Sequence, residues 1–116
     1  VSAELLNDDQ QMRRIEMAKG INRIPGHMHE AIHRWVMFSY QPGDFLTALL
    51  SNDLFKAASH ADDQNAAALI AWVRFLYNYC PMGCYRSPAK VAAWAAHRGL
   101  AGIAEKSAVS GTTVPA

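Results

Sequence analysis

Cysteine, net charge and long apolar runs are all scarce in this sequence, and each scarcity removes a class of protein. Two cysteines in 116 residues, Cys80 and Cys84, are too few for the disulfide framework of a small secreted domain, so a reducing compartment is expected. No run approaches the roughly 20 apolar residues needed to cross a bilayer. The opening "VSAELLNDDQQ" is too polar and acidic for a secretory leader, and the expectation is a cytoplasmic protein with no membrane partner. Eleven Lys and Arg against 10 Asp and Glu argue against a surface wholly committed to nucleic acid or anionic lipid. Strand-type alternation is missing too, as are a Gly-rich phosphate loop, a nucleophile elbow and a dinucleotide fingerprint.

What is present is helical periodicity, in a chain whose 51% apolar content can fill one core without covalent staples. The pattern predicts an all-α fold, a compact bundle of about five helices around a central apolar helix over residues 62–79. A thin stripe of Leu5, Met12 and Ile15 over residues 3–19 ends at Gly20, so residues 1–20 read as a peripheral N-terminal helix. Residues 21–104 read as a single helical domain, and "EKSAVSGTTVPA", residues 105–116, as a disordered tail.

Within the domain, Met28, Ala31, Ile32, Trp35 and Val36 share one face of a helix over residues 27–39, which "QPGD" breaks. A third apolar segment over residues 44–60 contains Ser51, Asn52 and Asp53, short polar residues able to interrupt it and cap a new turn. Asp62 and Asp63 suit the start of the central helix. Its two sides, Leu69, Ile70, Val73, Leu76 and Tyr77 against Ala68, Trp72, Phe75 and Tyr79, predict burial on both faces. Ser87-Pro88 opens the last helix with a cap residue and proline at the first helical position.

Two motifs invite a metal reading. "HMHEAIH" contains H-E-x-x-H, in which His29 and His33 would share a zinc ion and Glu30 would serve as general base, and this makes a small zinc hydrolase one alternative. No third histidine follows at the metzincin spacing, and Arg34 stands four residues after Glu30 as an ion-pair partner. "CPMGC" with the same histidines would make a structural Cys2His2 site, but a buried cysteine ending a helix and another in the following turn are the favoured account of the spelling. The favoured reading is no metal, no cofactor and no catalytic residue.

Charge is unevenly spread. Residues 64–102 contain no acid, while Arg74, Arg86, Lys90 and Arg98 fall within them. Around "YRSPAK" a helix start meets Tyr85, Arg86, Ser87 and Lys90, which form the candidate binding set because backbone N–H groups and flanking cations favour an anionic partner group. A nucleotide or nucleic-acid binding module is a second alternative on the same residues.

"PGDFLTALLSNDL", "LYNYCPMGC" and "SPAKVAAW" together resemble small helical proteins of temperate bacteriophages and prophages, over about residues 24–98. That resemblance implies a phage accessory role with no assigned catalytic residues. Binding and blocking a bacterial host protein complex, as anti-CRISPR and other counter-defence inhibitors do, is the occupation it suggests, by analogy of source and size. The expectation is therefore non-covalent binding to a host complex; self-association stays open.

Overall fold

The computed structural model describes residues 8–102, so the tail expected over residues 105–116 and Leu5 of the first stripe lie outside the described residues. The fold is all-α, as the periodicity predicts. Its α-helices are α1 (Asp8–Gly20), α2 (His29–Phe38), α3 (Asp44–Leu50), α4 (Leu54–His60), α5 (Asp63–Ala67), α6 (Leu69–Tyr79) and α7 (Pro88–Ala96), with 3-10 turns at Ile21–Arg23, Gly26–Met28 and Met82–Cys84. Two of the five expected helical segments are each split in two, which gives α3 with α4 and α5 with α6.

Local chemistry explains most of these boundaries. Asp53, Asp62 and Ser87 each accept a hydrogen bond from the backbone N–H three residues on, at Lys56, Asn65 and Lys90, and so cap α4, α5 and α7. Caps of this kind are worth about 1 kcal/mol each. Between α3 and α4, Asn52 takes the left-handed conformation at φ 64°, which asparagine tolerates better than most residues and which turns the chain. Ser39 ends α2 in the same region at φ 57°, its N–H donating to the Trp35 carbonyl.

The central segment differs from the expected continuous helix. At Ala68 the N–H is shared between the Gln64 and Asn65 carbonyls at 3.1 and 3.2 Å, a tightening that separates α5 from α6. Inside this junction Asn65, the buried polar residue of the core, accepts the indole N–H of Trp72 at 3.0 Å. A buried amide and a buried indole thereby satisfy each other, which neither does as cheaply alone.

The core gathers Ile32, Trp35 and Val36 of α2, Leu46 of α3 and Trp72 and Phe75 of α6, all fully buried. Each such aliphatic side chain contributes about 1.5 to 3 kcal/mol over its exposed state. Phe45 and Phe75 meet the Trp72 ring edge-on with centroids 5.9 and 6.4 Å away. Two other indoles fasten the ends of the fold: Trp35 Nε1–H donates to the Cys84 carbonyl at 2.9 Å, and Trp94 Nε1–H donates to the Trp35 carbonyl at 3.1 Å. Helix α1 is anchored by buried Met17 and by Gly20, which lies under the Tyr79 ring, whereas Met12 and Ile15 remain exposed. Gly99, at φ 70°, passes so close to α2 that a Cβ would stand 2.8 Å from the Met37 carbonyl.

Candidate functional site

Helix α6 is buried on one side only, and this corrects the expectation of burial on both faces. Trp72, Phe75 and Leu76 face the core, but Ile70, Val73 and Tyr77 are 64%, 48% and 67% exposed. Among the described residues no further helix covers them. With Leu49, Leu54, Leu76, Tyr85 and Arg86 they line a cleft of about 420 Å³. Leu54 is 57% exposed and its neighbour Phe55 88%, so the first turn of α4 adds to the same unusual display of large apolar side chains.

The break between α3 and α4 builds this cleft. The Asn52 turn and the Asp53 cap end α3 and start α4 at Leu54, whose side chain lines the cleft. Asn52 and Asp53 line the polar lip. At the far end, the Arg86 N–H donates to the Leu50 carbonyl at 2.7 Å and ties the segment before α7 to the end of α3. Arg86 holds φ 111°, a region that costs a non-glycine residue about 1 to 3 kcal/mol and is concentrated at functional sites.

Of the expected binding set, Tyr85 and Arg86 line the cleft, whereas Ser87 and Lys90 do not. Tyr85 is buried, and that burial raises its hydroxyl above the ordinary value of 10, with Arg86 opposing, so the ring offers a neutral contact surface. Ser87 spends its hydroxyl on the α7 cap, and Lys90 is half-buried. Ile70, Val73, Tyr77 and Leu54 were not among the expected site residues. The available signal was the wide apolar surface of the central helix, which carries Ile70, Val73 and Tyr77 besides Trp72, Phe75 and Leu76.

The charged residues that line the cleft are one acid, Asp53, and one base, Arg86. Ion pairs among the described residues join Lys19 to Glu16, His27 to Asp62 and Arg34 to Glu30, and they leave Arg74, Arg86 and Lys90 with no acidic partner. Arg74 lies four residues after Ile70 and three before Tyr77, which places it on the same stripe of α6 as the cleft wall.

The histidine motif has a different setting. His29 Nε2–H donates to the Ile24 carbonyl at 3.0 Å, and Glu30 meets Arg34 at 3.3 Å. His33 is half-buried, and desolvation, followed by the charge of Arg14, lowers its pKa from the ordinary 6.5. Cys80 and Cys84 are both buried at the other end of α6 and form no disulfide. Among the described residues no three His, Cys, Asp or Glu side chains converge as a metal would need, and no helix is long and apolar enough to cross a membrane. Compared with protein-family models, curated proteins and solved structures, the chain matches none of them.

Proposed function

We propose that this chain is a non-enzymatic binding protein, a phage or prophage accessory factor that works in the cytoplasm of a bacterial host by gripping a host protein complex, a defence assembly being the target class. The cleft carries the binding half of this reading. A continuous apolar surface from Leu54 across Ile70 and Val73 to Tyr77 has the character of a binding site rather than of a solvated face. The aromatic and arginine pair at its end, Tyr85 and Arg86, belongs to the residue types that dominate interface energetics. The accessory role rests on the resemblance of "PGDFLTALLSNDL", "LYNYCPMGC" and "SPAKVAAW" to phage proteins.

Affinity capture from a bacterial lysate tests the reading. Immobilised wild-type chain should retain a defined host complex, and Ile70→Glu should lose it while keeping the wild-type circular-dichroism spectrum, because Ile70 is mostly exposed. Capture that survives Ile70→Glu undiminished would remove the cleft from the binding surface.

A further inference from the structure

We draw no further inference here: the strongest candidate, the apolar wall of Ile70, Val73 and Tyr77 on α6 in the cleft that Leu54 and Arg86 also line, is an unpartnered face, and nothing in the structure shows what covers it.

Discussion

Replacing Asn65 with alanine should destabilise the protein far more than the loss of a helix-start polar residue normally does. Asn65 is 3% exposed, and its Oδ1 accepts the indole N–H of Trp72, which is fully buried. Truncation strands that N–H in an apolar core, at a cost of about 1 to 3 kcal/mol. The Asn65 backbone N–H still donates to Asp62 in the variant, so the cap of α5 survives and the effect isolates the core bond. For a domain near the size of this 116-residue chain, each kcal/mol shifts the melting temperature by about 4 °C, which gives a fall of about 4 to 12 °C. Trp72→Phe strands the amide oxygen instead and also leaves a gap between Phe45 and Phe75. In the double variant both partners are gone, so the two losses should add to less than their sum, with a coupling of about 1 kcal/mol. Urea unfolding followed by far-ultraviolet circular dichroism measures all four corners of the cycle. A cost below about 0.5 kcal/mol for Asn65→Ala, the range of ordinary surface changes, would refute a buried amide at the α5–α6 junction.

Further expectations concern the frame, the cleft and pH. Gly99→Ala should cost more than about 1 kcal/mol in a thermal melt, because the residue has φ 70° and a Cβ would press on the Met37 carbonyl; a neutral result would mean that the α2 contact yields. Arg86→Gly should weaken partner capture at least tenfold, about 1.4 kcal/mol, whereas Lys90→Glu, outside the cleft, should change it less than twofold. His33 is more acidic in the folded chain than its ordinary 6.5 because it is half-buried. Below that value the unfolded chain takes up the proton first, so stability is fully present above 6.5 and declines as pH falls toward the lowered folded value. Melting temperature should therefore drop between about pH 7.5 and 5.5 by less in His33→Gln than in wild type; equal drops would count against a desolvated His33. Addition of zinc or of a chelator should leave the melting temperature unchanged, since no three ligand-type side chains converge among the described residues. A rise with zinc that vanishes in His33→Ala would restore the metal reading.

Residues that act on their own neighbourhood were legible in the sequence. Asp62, Ser87 and Pro88 mark helix starts because capping is a bond across three residues, and Ser51-Asn52-Asp53 announced the α3–α4 break for the same reason. Tyr85 and Arg86, expected as binding residues beside a helix start, line the cleft, while the Ser87 hydroxyl of that expected set is spent on the α7 cap. The cleft wall was hidden because Ile70, Val73 and Tyr77 carry the same apolar code as Trp72 and Phe75. Periodicity marks a face as apolar without saying whether a partner lies inside the chain or outside it. Asn65 was hidden for the opposite reason. A polar residue near a helix start looks local, yet its side chain is held by an indole two turns away.

The indole bonds running from Trp94 to Trp35 and from Trp35 to Cys84 span 59 and 49 residues of chain. Helix α2 shares its core with α3 and α6, but the Trp94 bond forms only once α7 is present, and the loop-closing entropy between them must be met first. During synthesis the core residues of α2, α3 and α6 emerge before α7 can add the Trp94 bond. Ribosome-arrested chains that end before Trp94 should therefore be cleaved by protease faster than chains that expose it.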